Sequence, residues 1–243
     1  MGPPHYLAIG PCAMGFFAML GALRDVDVSN VQEISGASAG AILGLFLCLE
    51  VPITEILERT VTIDFAELTK PDLVSLMTRY GLFPIEPVKK KLIEVIGSNP
   101  TFKELPKKLY VSAFCLNTNK TEYFSRDTVP DEYVIDFICM SIAVPFMFES
   151  VTYRNHFYVD GGLVETVPMT PFLGHRPEDV LALRLSFNED SRDITSFKEF
   201  STRLIQSSLR RITYQNVTHV SVASLDIFDF AMSIETRLKL FLL

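Results

Sequence analysis

The chain has 243 residues, of which 48% are hydrophobic and 21% are charged, and its formal net charge is −7. This length predicts a single domain, residues 1–243, that is large enough to bury a sizeable core. Nucleic-acid-binding proteins are expected to carry a basic patch or stripe, so the acidic balance argues against nucleic acid as a partner. This composition is compatible with membrane contact through apolar surface.

Two strand-and-helix units open the chain. The pattern of apolar residues predicts strands at residues 6–10 and 31–34, and apolar helices at residues 16–23 and 36–49. Strands that alternate with helices are typical of a parallel sheet with both faces covered. We therefore expect an α/β fold.

The rest of the chain mixes helical and strand patterns. Helices are predicted over residues 51–80 with a break at Pro71, over the amphipathic segment 87–96 and over residues 136–143. The region 196–243 is expected to be mostly helical. The remaining predicted strands lie at residues 109–114, 121–125, 151–153, 157–159 and 180–185.

The sequence also bears on cellular location. The N-terminus lacks the basic and apolar regions of a secretory signal. The apolar run that starts at Ala39 ends before Glu50, whereas a membrane-spanning helix needs about 20 apolar residues. Four cysteines without a C-x-x-C pair lie in apolar surroundings, which is typical of reduced core residues in a reducing compartment. These are Cys12, Cys48, Cys115 and Cys139. We expect an intracellular protein, cytoplasmic or peripherally membrane-associated, with no transmembrane helix.

The segment GASAG, residues 36–40, fits the pattern G-x-S-x-G with Ser38 at its centre. A predicted strand precedes it and an apolar helix follows it, as in a nucleophile elbow. Gly36 and Gly40 would let the strand and the helix approach closely, and the helix N-terminus would present N–H groups to a developing oxyanion. The alternative interpretation is an ordinary helix start with Ser38 near the N-cap.

A serine nucleophile needs a base, and two kinds of candidate exist. None of the four histidines lies in an obvious catalytic setting. Asp160 directly follows a predicted strand, and Gly161 and Gly162 let the backbone turn sharply after it. The same Asp-Gly pair is also a strong signal for a simple turn, so the motif alone leaves both interpretations open.

Taken together, Ser38 in GASAG and Asp160 in DGG resemble the patatin-like phospholipases, lipid acyl hydrolases with a Ser–Asp dyad. The blocks at residues 101–125 and 139–169 also resemble that family, and the resemblance covers about residues 6–185. It implies a three-layer α/β/α sandwich with a mostly parallel central sheet. It also implies an acyl-enzyme on Ser38, Asp160 as base, and a lipid substrate at a membrane surface, with no metal or cofactor.

The expected oxyanion loop departs from the family pattern G-G-G-x-[RK]-G. Here the loop reads GPCAMG from Gly10, and Pro11 has no N–H to donate. The hole would then use N–H groups of Cys12 and Ala13 together with Ala39. The sequence is therefore compatible with two functions. The first is a lipid acyl-ester hydrolase of phospholipase A or lysophospholipase type. The second is a patatin-fold lipid-binding or structural protein with impaired catalysis.

Overall fold

A computed structural model describes residues 3–187, 194–208, 214, 216–222 and 225–243. Its strands are β1 (Tyr6–Ile9), β2 (Glu33–Ala37), β3 (Gly81–Phe83), β4 (Lys108–Cys115), β5 (Lys120–Phe124), β6 (Phe146–Phe148), β7 (Val151–Tyr153), β8 (His156–Asp160), β9 (Val180–Phe187) and β10 (Thr218–Val222). Its α-helices are α1 (Phe16–Leu23), α2 (Ala39–Cys48), α3 (Ile53–Thr60), α4 (Phe65–Leu68), α5 (Leu73–Arg79), α6 (Glu86–Ile96), α7 (Val134–Ser141), α8 (Phe197–Ser208) and α9 (Ile234–Phe241).

Eight strands form the main sheet, in the order β10-β9-β1-β2-β4-β8-β7, with β5 also paired to β4. The pairs from β10 to β4 are parallel, and the pairs of β4 with β5 and β8 and of β7 with β8 are antiparallel. Parallel strands need crossover connections, which α1 and α2 provide at this end of the chain. The predicted α/β class with a mostly parallel central sheet is confirmed.

Both faces of the sheet are covered. Alternate residues of a strand point to opposite faces, so Leu7 and Ile9 of β1 belong to the large core cluster that includes apolar residues of α1, α2 and α7. Ala8 points the other way and packs in a smaller cluster with Val167 and Phe172. The sheet is therefore buried on both sides near β1, as a parallel sheet in this class requires.

The structure corrects three of the sequence predictions. The segment 51–80, predicted as helical with one break at Pro71, forms the three helices α3, α4 and α5. The second strand runs to Ala37 and the following helix begins at Ala39, so Gly36 belongs to the strand and not to the helix. The region 196–243 is not uniformly helical, because β10 lies within it and extends the sheet beside β9. The apolar alternation of THVSV is short, and its strand character depends on pairing with β9. Residues 209–213, 215, 223 and 224 of this region lie outside the described residues.

Two further features were expected from the sequence. In the part of the chain that the structure describes, no helix combines the length and the apolar character that crossing a membrane requires. The four cysteines are free and buried, as predicted for core residues.

Candidate active site

Ser38 occupies the turn between β2 and α2. Its backbone has φ 56° and ψ −135°, a conformation that is costly for a residue with a side chain, on the order of 1–3 kcal/mol. The flanking glycines permit the turn, because a Cβ on Gly36 would lie 2.5 Å from Cα of Ala41 and one on Gly40 would lie 2.5 Å from the carbonyl oxygen of Ile9. These are the strain and close approach of a nucleophile elbow.

Asp160 ends β8 on the other side of β4. The register pairs Ala37 with Ser112 and Ala113 with Asp160, so one strand separates the chain segments of Ser38 and Asp160. Asp160 then enters the turn that Gly161 begins. A Cβ on Gly161 would lie 2.2 Å from the carbonyl oxygen of Ser112, so only glycine fits there.

The structure brings the Ser38 and Asp160 side chains together. Both residues are buried, with 5% and 4% of their surface exposed. Burial raises the pKa of the Asp160 carboxyl to about 7, and hydrogen bonds from the Ser38 side chain and from the Gly162 N–H oppose that rise. The Gly162 bond is short, at 2.7 Å.

The loop after β1 lies beside this pair. Ala13 and Ala39 both line a cavity that includes Ser38. Cys12 is buried, and its thiol pKa is raised above the ordinary value by burial and then by the charge of nearby Asp160. Ala13 has φ 42°, which is unfavourable for a residue with a Cβ.

The backbone donors of this loop divide into used and unused groups. The Gly10 N–H donates to the Leu183 carbonyl at 2.9 Å and the Met14 N–H to the Ile227 carbonyl at 3.0 Å. Among described residues, the N–H groups of Cys12, Ala13 and Ala39 have no backbone acceptor outside regular helix and strand pairing. The three donors that the sequence predicts are thus located near the elbow and are not committed to other loops.

A deep apolar cavity extends from Ser38. The empty space between its walls, including the open solvent at its mouth, is about 930 Å³. Its walls come from α2, the α3–α4 region, α6, the turn after α7, and a C-terminal segment. Residues that line it include Ile42, Phe46, Ile63, Phe65, Val88, Leu92, Val95, Ile142, Val144, Phe148, Phe228 and Phe230.

Few polar groups reach this cavity. Thr60 and Thr69 line it, but their hydroxyls donate to helix carbonyls of Ile56 and Phe65. Lys91 also lines it and forms an ion pair with Glu94. The cavity therefore favours an apolar chain next to Ser38.

Several residues that contribute to the site are not apparent from the sequence. Phe228 and Phe230 come from the C-terminal region, for which no function was predicted, and no local pattern marks them as cavity residues. Ser141, at the end of α7, accepts a hydrogen bond from the Ser38 N–H at 2.8 Å. Ser141 lies in the segment 139–169, for which the sequence indicates only a resemblance to the family and no role for this serine. The histidines lie outside the cavity lining: His5, His175 and His219 are exposed and His156 is half-buried.

An elbow serine and a buried aspartate therefore lie together beside an apolar cavity on an α/β sheet. The model of the family described as patatin-like phospholipase matches residues 7–173. The chain belongs to the patatin-like phospholipase family.

Two viral proteins are similar in sequence. An uncharacterized protein of Acanthamoeba polyphaga mimivirus is 29% identical over 169 residues, which cover 64% of this chain and 57% of the relative. A protein named "Probable lipid hydrolase" from Invertebrate iridescent virus 6 is 28% identical over 186 residues, 69% of this chain and 63% of the relative. The matched region thus spans less than two thirds of either relative.

Two solved structures share the fold. VipD from Legionella pneumophila superposes with a TM-score of 0.60 at 16% identity, over 99% of this chain and 67% of VipD. The type III effector protein ExoU superposes with a TM-score of 0.55, also at 16% identity, over 99% of this chain and 51% of ExoU. At this level of identity the likeness concerns the fold alone.

Proposed function

We propose that this chain is a lipid acyl-ester hydrolase, of phospholipase A or lysophospholipase type, with Ser38 as nucleophile and Asp160 as base. The observation that carries the proposal is the position of the Ser38 hydroxyl, on a strained elbow beside the Asp160 carboxyl and at the mouth of an apolar cavity. Family membership supports the same chemistry. The viral relative named as a probable lipid hydrolase adds support for a lipid substrate.

In the proposed reaction, the Ser38 oxygen attacks the ester carbonyl while Asp160 takes the hydroxyl proton. The negative oxygen of the tetrahedral intermediate is held by N–H groups of Cys12, Ala13 and Ala39. The intermediate collapses, the C–O bond to the alcohol breaks, and Asp160 returns its proton to the leaving alcohol. Water then attacks the acyl-enzyme with Asp160 again as base, which releases the fatty acid and regenerates Ser38.

The cavity supports the choice of a lipid over a small polar ester. An acyl chain gains about 0.8 kcal/mol per CH₂ group on burial in an apolar site, and the lining offers few free polar groups to a polar substituent. We propose that the acyl chain occupies this cavity and that the head group stays at its mouth, where a membrane surface would present the ester.

A fluorophosphonate probe tests the proposal, because it reacts covalently with an activated serine. We expect the wild type and Ser35→Ala to be labelled and Ser38→Ala to stay unlabelled. Ser35 is a matched control, since it is a buried serine on β2, the strand that leads to Ser38, and its hydroxyl has no partner among described residues. Hydrolysis of phosphatidylcholine and lysophosphatidylcholine, followed by mass spectrometry of the released acids, would then identify the ester. Absence of labelling with retained lipid binding would favour the second hypothesis, a lipid-binding protein without catalysis.

A further inference from the structure

The end of α7 and the residues directly after it contact the main chain of both Ser38 and Asp160. The Ser38 N–H donates to the Ser141 hydroxyl oxygen at 2.8 Å. Two residues later, the Ala143 carbonyl accepts from the Asp160 N–H at 3.0 Å. Three consecutive residues therefore link the backbone of the elbow to the backbone of the aspartate, across a sheet in which the two come from different strands.

The Ser141 contact satisfies a donor that would otherwise be buried without a partner. Ser38 is buried and Ser141 is fully buried, and an unpaired N–H in such a place carries a large desolvation penalty. The bond also holds the positive φ of Ser38, which the elbow needs and the backbone disfavours. Because this N–H is engaged by Ser141, it does not serve the oxyanion, so that task falls to the remaining donors.

The residues of this segment alternate between two roles. Ile142 and Val144 line the apolar cavity, while Ser141 and Ala143 hold the main chain of Ser38 and Asp160. One short segment thus contributes to the wall beside the bound chain and to the spacing of the reacting pair.

We propose that Ser141 is a positioning residue for hydrolysis, whose hydroxyl oxygen holds the Ser38 backbone at the distance from Asp160 that proton transfer requires. The proposal rests on the proposed function, in which Ser38 and Asp160 react as a pair. Ser141 acts through Ser38 and touches neither the ester nor the transferred proton.

The test compares Ser141→Ala, which removes the acceptor, with Ser141→Cys, which keeps the size and offers only a weak sulfur acceptor. Ser35→Ala is the control for loss of a buried hydroxyl. With a soluble short-chain ester, we expect Ser141→Ala to lower kcat by about 10- to 100-fold with KM within about twofold, since small misplacements of reacting groups have effects of this size. Ser141→Cys should lose less, and Ser35→Ala should match the wild type.

A pH profile separates positioning from a merely structural role. The Ser38 hydrogen bond lowers the pKa of Asp160, so loosening the pair in Ser141→Ala should move the acid limb of kcat/KM to higher pH. Cys12 is the titratable neighbour whose own pKa responds to Asp160, and its raised pKa keeps it neutral through this range.

Three outcomes would overturn the proposal. In the first, Ser141→Ala folds, and its kcat and the acid limb of its pH profile equal those of Ser35→Ala. In the second, Ser141→Ala folds stably, Ser141→Cys is equally impaired, and the pH profile does not shift. In the third, both Ser141 variants unfold while Ser35→Ala folds. A wild type without esterase activity would instead refute the proposed function. In that case hydrogen exchange of the Ser38 amide still tests the contact, because exchange should be faster in Ser141→Ala than in Ser35→Ala, and equal rates would refute it.

Discussion

Pro11 packs directly against Gly162, so closely that a Cβ on Gly162 would lie 2.6 Å from Cγ of the proline ring. The loop after β1 therefore rests on the turn that carries Asp160. In the sequence Pro11 stands out only as a residue without an N–H to donate, and the structure gives its ring a packing role. The proline helps to fix the loop whose Cys12 and Ala13 N–H groups we propose as oxyanion donors.

The first prediction concerns the pH dependence of catalysis. In the proposed mechanism Asp160 must be ionised to accept the Ser38 proton, and burial raises its pKa to about 7. We expect kcat/KM for a water-soluble ester to fall about tenfold per pH unit below that value and to level off above it. A profile that stays flat down to pH 5 would contradict the assignment of Asp160 as the base.

The second prediction concerns stability. The Asp160 pKa is higher in the folded protein than the ordinary value of 3.8, so the folded state binds the proton more tightly. The stabilising contribution is present below pH 4 and is lost as pH rises through about 7. Asp160→Asn, which keeps an acceptor for the Gly162 N–H, should therefore be more stable than wild type at pH 8, by about 1–4 kcal/mol.

Urea unfolding at two pH values measures this effect. The gain of Asp160→Asn should be present at pH 8 and small at pH 4, while its esterase activity is lost at both. A variant that is less stable than wild type at pH 8 would show that the charged carboxylate is well compensated in the folded protein, contrary to the prediction.

The third prediction concerns the length of the acyl chain. Leu92 lines the cavity, and Leu92→Trp should fill part of the space that a long chain occupies. We expect the ratio of kcat/KM for long-chain over short-chain esters to fall about tenfold or more, since each methylene in an apolar pocket is worth roughly 1–3 kcal/mol. Ile93→Trp is the matched control, because Ile93 follows on the same helix and is not among the cavity residues. Equal ratios for both variants would place the acyl chain elsewhere.

The fourth prediction concerns the oxyanion donors. Ala39 is the first residue of α2, a position where proline is tolerated in helices because its missing N–H has no helical partner. Ala39→Pro should lower kcat/KM by about 10²–10³-fold, the usual effect of removing one such donor, while thermal unfolding changes little. Ala39→Gly keeps the N–H and should retain most of the activity. Similar losses in both variants would assign the effect to helix geometry.

The sequence predicted those parts of the site that are local in the chain. The elbow is visible in GASAG because its glycines are needed within two residues of Ser38, and the turn after Asp160 is visible in DGG for the same reason. Apart from β10, the sequence predicts the strands of the main sheet with small errors at their ends. The end of β2 was misplaced because GASAG has the small residues of a helix start and its strand character comes from pairing with β4.

Contacts between distant segments were not predictable in this way. Ser141 lies far from Ser38 in the chain, and nothing in its neighbours indicates that its hydroxyl turns toward an elbow and not toward its own helix. The strand β10 is short and lies in a region whose sequence pattern is mostly helical, so only its pairing with β9 identifies it. In both cases the deciding information is a tertiary contact.

The C-terminal region contributes to the site although it lies beyond the family match. The family match ends at residue 173, and it contains Ser38 and Asp160. Yet Phe228 and Phe230 form part of the cavity wall, and the Ile227 carbonyl holds the Met14 N–H of the loop beside the elbow. The part of the chain beyond the family match thus completes the cavity wall and supports the loop beside Ser38, so a substitution there would reshape the cavity without replacing Ser38 or Asp160.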